Sequence, residues 1–202
     1  MKVIGITGGV GAGKSEILSY LKEHTNCRII MADKVAHELE RQGNVCYDRI
    51  VELLGNEILA ENSEIDKGKM AARIFADQAL LKQVNEIVHP AVKAYITTAI
   101  DEERKAGRYD YLFIEAALLI EDGYGSIVDE MWYIHTDDDV RRDRLRTSRG
   151  YTDEKIDNIM RGQLSKEEFS GHCSVVIDNS KALTDAYRQI DMKLGEELCQ
   201  KQ

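Results

Sequence analysis

Near its N-terminus the sequence places a glycine-rich loop between a short apolar segment and an amphipathic one. Residues 8–15 read GGVGAGKS and fit the phosphate-loop pattern G-x-x-x-x-G-K-[ST]. The β-branched run at 3–6 predicts a buried strand before the loop, and apolar residues at helical spacing over 17–21 predict a helix after it. A strand, loop and helix in this order aim backbone N–H groups and the positive end of a helix at one point. The sequence therefore predicts a nucleoside triphosphate site.

The residue types in the loop fit that prediction. Its glycines let the backbone approach an anion closely. Lys14 can place a compact positive charge against the β- and γ-phosphates, and Ser15 offers a hydroxyl to Mg²⁺. The alternative is a glycine-rich turn without a ligand. It is disfavoured because the full pattern arises by chance in only about one chain of this length per hundred.

The net charge, the cysteine spacing and the hydropathy of the chain argue against several classes of protein. A net charge of −9 argues against a general nucleic-acid binder, so a polyphosphate must occupy a local basic pocket. The four cysteines form no C-x-x-C pair, which indicates reduced thiols rather than a disulfide frame or a zinc site. No apolar run approaches membrane-spanning length. We expect a cytoplasmic protein that binds neither nucleic acid nor membrane and is a monomer or a weak homo-oligomer.

Two carboxylates follow predicted strands. Asp33 comes after the run at 27–32, and Glu115 ends the run at 109–115. Carboxyl ends of parallel strands border the ligand crevice, so both side chains are expected near the phosphate loop. Either could instead cap a following helix. For Glu115 we favour the other role, which is to hold Mg²⁺ through its water shell.

The stretch from 45 to 108 is helical in pattern, without strand signals. Pro90 is expected to open a new helix, because proline is tolerated in a first turn. The predicted helices cover 45–54, 66–75, 80–88 and 90–106. They are too many for one crossover between adjacent strands, so part of the stretch should be an inserted substrate-binding lobe. Strands at 129–135 and 173–178 and a final amphipathic helix complete the chain.

Six arginines lie between the last two predicted strands, a high density in an acidic chain: Arg141, Arg142, Arg144, Arg146, Arg149 and Arg161. Arginine forks suit the neutralisation of a transferring phosphoryl group. Nearby aspartates at helical spacing offer the alternative of local ion pairs, and both roles stay open. We expect Arg141 and Arg142 to pair locally, and Arg144 and Arg149 to reach phosphates.

Taken together, these features resemble the dephospho-coenzyme A kinase family over nearly the whole chain. The family's motifs occur in order: T-G-G-x-G-x-G-K-S at 7–15, A-D at 32–33, I-D-x-x-x-M-A-x-x-I-F at 65–75, H-P at 89–90, L-L-x-E at 118–121, Gln163, and I-D-N at 177–179. The resemblance implies a three-layer α/β P-loop kinase fold with a five-stranded parallel sheet. It implies one domain over 1–202, with a helical coenzyme A-binding insert at about 60–108 and a small lid at about 141–165.

The resemblance also implies a reaction and a set of site residues. The γ-phosphoryl group of ATP would move to the 3′-hydroxyl of dephospho-coenzyme A with Mg²⁺. The phosphates would be held by Gly11, Ala12, Gly13, Lys14, Ser15 and Glu16, with Asn179 near the adenine. Asp33 would be the base, Arg73 and His89 would bind substrate, and Ser15 and Glu115 would hold the metal. The catalytic set would be Asp33, Lys14, Arg144 and Arg149.

A few positions depart from the family pattern. Glu16 stands where Thr or Ser is usual, and Met31 replaces the first Asp of a D-A-D motif. Because of these changes, one alternative function remains: the chain could be a catalytically weakened paralogue that senses nucleotide or coenzyme A. Another small-molecule kinase on the same scaffold is the second alternative.

Overall fold

The structure is a computed structural model that describes residues 1–75 and 77–200, with side chains described as far as residue 195. Five strands form one sheet in the order β2-β3-β1-β4-β5. Their bounds are β1 Lys2–Thr7, β2 Cys27–Met31, β3 Tyr111–Glu115, β4 Glu130–His135 and β5 Val175–Asp178. The pairs β1·β3, β1·β4 and β4·β5 are parallel. The predicted α/β fold with five strands is confirmed. β1 extends one residue beyond each end of its β-branched run at 3–6, and the other four strands are one or two residues shorter than predicted.

Helices fill the remaining segments of the described chain. They are α1 Lys14–His24, α2 Ala32–Leu39, α3 Tyr47–Leu54, α4 Lys67–Phe75, α5 Gln78–Ala106, α6 Asp138–Arg149, α7 Asp153–Arg161, α8 Lys166–His172 and α9 Leu183–Gln200. Short 3-10 helices lie at Asn56–Ile58 and Tyr124–Ser126.

The central strand β1 carries the core of the sheet. Its β-branched residues Val3, Ile4 and Ile6 are fully buried, as the sequence predicts for a strand with neighbours on both sides. Apolar faces of α1 and α9 join the same core through Ile17 and Ile190 among others. Because β1 lies between β3 and β4, the loop after it opens at the point where the sheet's connections diverge, which is the usual ligand crevice of such sheets.

The described chain groups into two compact units. One contains residues from Met1 to Ile29 and from Gly107 onward, and the other contains Ile30 to Ala106. Within the second unit the long helix α5 packs against α2, α3 and α4. Apart from the end of β2, its described residues form helices and one isolated antiparallel bridge, Leu59 to Ile65.

The prediction of a new helix at Pro90 is wrong, because α5 runs through it as a single helix of 29 residues. Proline removes one i→i−4 hydrogen bond and usually kinks or ends a helix. Here the apolar stripe continues across the proline at four-residue spacing and is buried on both sides: Val84, Val88, Val92 and Ile96. Burial of this continuous stripe outweighs the lost hydrogen bond.

Candidate functional site

The glycine-rich loop ends where α1 begins. Gly13 occupies the N-cap position in a left-handed conformation with φ of 85°, which favours glycine. The Lys14 Nζ atom donates a hydrogen bond to the Gly8 carbonyl oxygen at 2.8 Å. It also lies 3.5 Å from Glu115 Oε1, and the two side chains are only 14% and 12% exposed. A largely buried lysine and a largely buried carboxylate therefore meet where the loop leaves the central strand.

The position of Glu115 follows from strand register. Glu115 is the last residue of β3, where it is aligned with Ile6 of β1 two residues before the loop begins. No α-helix starts between β3 and β4, a segment that the structure describes in full. The alternative that Glu115 caps a helix is therefore wrong. Its carboxylate instead faces the phosphate loop.

Three side chains hold the carbonyl of Ala12 from outside the loop. Thr136 Oγ1 donates to it at 3.0 Å, Asn179 Nδ2 at 2.8 Å and Arg144 Nη1 at 3.4 Å. These donors come from the ends of β4 and β5 and from α6. Since peptide N–H and carbonyl groups point in opposite directions, securing this carbonyl fixes the orientation of the peptide unit in the loop.

Asn179 lies in a turn that is itself fixed. Its backbone N–H donates to the His135 carbonyl at 2.8 Å, and its own carbonyl accepts from Arg144 Nη2 at 2.9 Å. The neighbouring Ser180 hydroxyl holds the pKa of the Asp178 carboxyl below its usual value through a hydrogen bond. The structure places Asn179 directly after β5, as the sequence predicts, whereas its contact with the loop was not predicted.

Three of the six arginines, Arg142, Arg144 and Arg149, have different surroundings. Arg144 contacts the loop, as described above. Arg142 pairs with Asp157 on α7 at 2.5 Å and not with an aspartate of its own helix, so the expected local ion pair is wrong for this residue. Arg149 is exposed at the end of α6, with its guanidinium carbon 6.0 Å from the centre of the Tyr151 ring, so the structure does not bring it to the loop.

Sequence reasoning missed the role of Arg141 in holding the loop. It pairs locally with Asp138 at 3.2 Å, as expected, but its Nε also donates to the Val10 carbonyl at 3.1 Å. Gln163 accepts from the same guanidinium. The signal in the sequence was the four-residue spacing from Arg141 to Leu145, which is buried and shows which face of α6 turns inward.

The remaining predicted residues belong to the second unit. Asp33 is exposed in the first turn of α2, and Met31 occupies the N-cap position without a side-chain hydrogen bond, so the alternative that Asp33 is the N-cap is wrong. Arg73 is exposed on α4. His89 lines a groove of about 620 Å³ along α5, together with Gln78, Leu81, Lys82, Asn85, Glu86 and Pro90.

The side-chain oxygens of Ser15 and Glu115 suit a hard cation that is held mainly by phosphate. Ser15 in the first turn of α1 and Glu115 beside Lys14 offer oxygen ligands. Among the described residues no group of three or more His, Cys, Asp or Glu side chains could hold a metal alone. Mg²⁺ commonly binds through one or two protein oxygens plus substrate phosphates and water, so these residues fit it.

Two further findings concern the described part of the chain. Cys27, Cys46 and Cys173 are free thiols, as the sequence predicts. None of the described helices has the length and hydropathy needed to cross a membrane.

Comparison with known proteins decides the family. The sequence profile of dephospho-CoA kinase matches residues 2–185. The chain belongs to the dephospho-CoA kinase family. The dephospho-CoA kinase of Oceanobacillus iheyensis is 33% identical over 189 residues, which cover 94% of each chain. The resemblance found in the sequence motifs is thereby confirmed.

Solved structures support the fold of this dephospho-CoA kinase family member. A Thermus thermophilus protein matches with a TM-score of 0.79 at 24% identity, covering 96% of this chain and 97% of that one. The dephospho-CoA kinase of Campylobacter jejuni matches with a TM-score of 0.72 at 20% identity, covering 98% of both. At these identities the likeness concerns the fold alone.

Proposed function

We propose that this chain is an ATP-dependent dephospho-CoA kinase. The reaction transfers the γ-phosphoryl group of ATP to the 3′-hydroxyl of dephospho-coenzyme A. The bond between the γ-phosphorus and the bridging oxygen breaks, ADP keeps the electron pair, and a new bond forms to the 3′-oxygen. The observation that carries the proposal is the family match over residues 2–185, joined to a phosphate loop whose lysine is in place.

The phosphate side of the reaction belongs to the loop and α1. Backbone N–H groups from Gly11 to Glu16 bind the phosphates, supported by the helix N-terminus and by Lys14. Ser15 and Glu115 would hold Mg²⁺, which would neutralise charge on the bound phosphates. Asn179, fixed against Ala12, borders the adenine. Arg144 and Arg149 act from a lid at about 141–165.

The acceptor side belongs to the second unit. Asp33 accepts the proton of the 3′-hydroxyl, which is a poor nucleophile until that proton is oriented or removed. Because Met31 holds the N-cap position, Asp33 is not needed as the cap and its carboxylate is available for this role. Arg73 and His89, within a helical insert at about 60–108, bind the coenzyme. The free cysteines support a cytoplasmic location.

A panel of acceptors tests the proposal. The purified chain is incubated with ATP, Mg²⁺ and one acceptor at a time: dephospho-coenzyme A, adenosine, a nucleoside monophosphate and shikimate. We expect coenzyme A and ADP in equal amounts from dephospho-coenzyme A alone. Phosphorylation of another acceptor in its place would assign a different kinase activity. Saturable binding of dephospho-coenzyme A without product, at high protein concentration, would instead identify a sensor.

A further inference from the structure

Arg141 is a buried cation with spare hydrogen-bond donors. Its side chain is 10% exposed, while Asp138, the carboxylate it pairs with, is 72% exposed and well solvated. Three of its N–H groups are used, by the Val10 carbonyl, Asp138 and Gln163. A guanidinium has five such donors, so two meet no acceptor among the residues that the structure describes. A charge buried with so little compensation favours an anion as a further partner.

The loop approaches this guanidinium more closely than a side chain would permit. A Cβ atom built at Gly9 would collide with Arg141 Nη2, and it would lie 2.5 Å from the guanidinium carbon. A side chain at Gly9 would therefore displace the Arg141 guanidinium from its present position. The close approach brings the spare donors of Arg141 to the first half of the phosphate loop.

The loop has two ends, and the arginines divide between them. Lys14, whose ammonium group serves the β- and γ-phosphates, donates to the Gly8 carbonyl. Arg141 lies beside the next two residues, Gly9 and Val10. Arg144 lies at Ala12 and Asn179, on the other side of the loop. Arg141 is therefore the arginine beside Gly9 and Val10, next to the Gly8 carbonyl that the Lys14 ammonium group contacts.

Gln163 joins Arg141 to the loop. Its Oε1 atom accepts from the Val10 N–H at 3.3 Å and from Arg141 Nη2. Because one amide oxygen receives both donors, the guanidinium keeps a fixed position relative to the loop backbone. Without this oxygen, Arg141 would keep hydrogen bonds to Val10 and the solvated Asp138 alone among the described residues.

From this geometry we propose that Arg141 binds the transferring γ-phosphoryl group with its two spare N–H groups, and that Gln163 is the positioning residue that orients it. The inference rests on the proposed kinase function. Arg141 neutralises charge on the phosphoryl oxygens as the bond to the bridging oxygen breaks. Lys14 and Arg141 then act on the same phosphates from two sides of the loop.

Paired kinetic and binding measurements on variants of the full chain test this. Arg141→Ala should lower kcat by about 10³-fold, the range seen when an arginine that meets transition-state charge is removed. It should weaken ATP binding by calorimetry, while ADP, which lacks the γ-phosphate, binds within about fivefold of the parent. Arg141→Lys should not restore kcat, because one ammonium cannot replace a planar fork. Arg146→Ala, an exposed arginine paired with Asp143 and Asp153, is the matched control and should stay near parent activity.

The role of Gln163 is tested by a double-mutant cycle. Gln163→Ala alone should lower kcat at least about tenfold, whereas adding it to Arg141→Ala should change kcat little further, because it acts through that arginine. Additive losses would overturn the positioning role. Parent-like kcat in Arg141→Ala would overturn the inference, and so would equal losses of ATP and ADP affinity. If the parent makes no coenzyme A, the proposed function fails, and the ATP-to-ADP affinity ratio of Arg141→Ala still decides the inference.

Discussion

The side chains of Lys14 and Glu115 face each other across 3.5 Å, and both are more than four-fifths buried. Burying two charges costs solvation free energy, which their mutual attraction and further hydrogen bonds must offset. Replacing either residue leaves the other as a buried charge with one partner fewer. The pair therefore links the phosphate loop to the carboxylate proposed for the metal.

Lys14→Ala should abolish phosphoryl transfer and weaken ATP binding. The phosphates lose the point charge of the loop, and Glu115 then repels them without its lysine partner. Transfer is measured as coenzyme A formed, and ATP binding by calorimetry. Lys22→Ala, an exposed position on the same helix, is the control. Unchanged turnover in Lys14→Ala would mean that this loop is not the catalytic nucleotide site.

Glu115→Ala should raise the Mg²⁺ concentration needed for half-maximal rate. A carboxylate that holds the water shell of the metal contributes affinity that added Mg²⁺ can partly replace. Initial rates are measured across a Mg²⁺ series, with circular dichroism to check the fold and exposed Glu121→Ala as the control. A Mg²⁺ requirement equal to that of the parent would remove Glu115 from the metal site.

Asp33→Asn should lower the rate at least about a hundredfold, within the range of general-base contributions. Thermal stability and ATP affinity should stay near parent values, because Met31 rather than Asp33 is the N-cap of α2. Rates, melting temperatures and calorimetry are compared with Glu38→Gln, an exposed carboxylate on the same helix. A parent-like rate would place the base elsewhere.

Arg144→Ala and Arg149→Ala should each lower the rate, with little change in affinity for dephospho-coenzyme A. An exposed ion pair is worth under about 1 kcal/mol, or less than about fivefold in rate. A larger loss therefore indicates contact with charge that develops during transfer. Arg161→Ala, whose exposed guanidinium donates to Asn158, is the control. Losses below fivefold for both would remove these two residues from the catalytic set.

Glu130→Gln should destabilise the fold by about 1–3 kcal/mol at pH 7, the cost of weakening hydrogen bonds to a charged group. Burial would raise the pKa of Glu130, but hydrogen bonds from Trp132, Lys193 and Lys2 outweigh it and hold the pKa below its usual value. A lowered pKa stabilises the fold above the unfolded value of about 4.3, and this contribution disappears as the pH falls through the folded pKa.

Thermal melts at pH 7 and near pH 3 check this. The difference in melting temperature between parent and Glu130→Gln should shrink at the lower pH, where the parent carboxyl takes up its proton. A difference independent of pH would show that the charge of Glu130 contributes nothing.

The parts of the site that follow from strand ends could be predicted from the sequence. Lys14, Glu115 and Asn179 lie beside runs of apolar residues whose ends are visible without a structure. The N-cap of α2 could not be predicted, because Met31 occupies the position where a polar residue is usual. Propensity favours Asp there, but the position is set by where β2 ends.

The role of Arg141 depends on long-range packing, which sequence spacing does not encode. Local spacing finds its partner Asp138 three residues away, yet the Val10 carbonyl is 131 positions away in the chain. The prediction that a new helix begins at Pro90 is wrong for a related reason. A rule for isolated helices predicts a break, whereas buried neighbours on both sides of the proline hold α5 together.

The proline inside α5 also sets how that helix loses its structure. Pro90 has no N–H, so the carbonyl of Glu86 receives no i→i−4 hydrogen bond from it. Unwinding that begins at Gln78 meets this gap before it reaches Ile96, Ala99 and Ile100, which are buried. The helix is therefore continuous across this gap because its stripe from Val84 to Ile96 is buried, and a polar residue in that stripe would let the turns before Pro90 open before the rest of the unit.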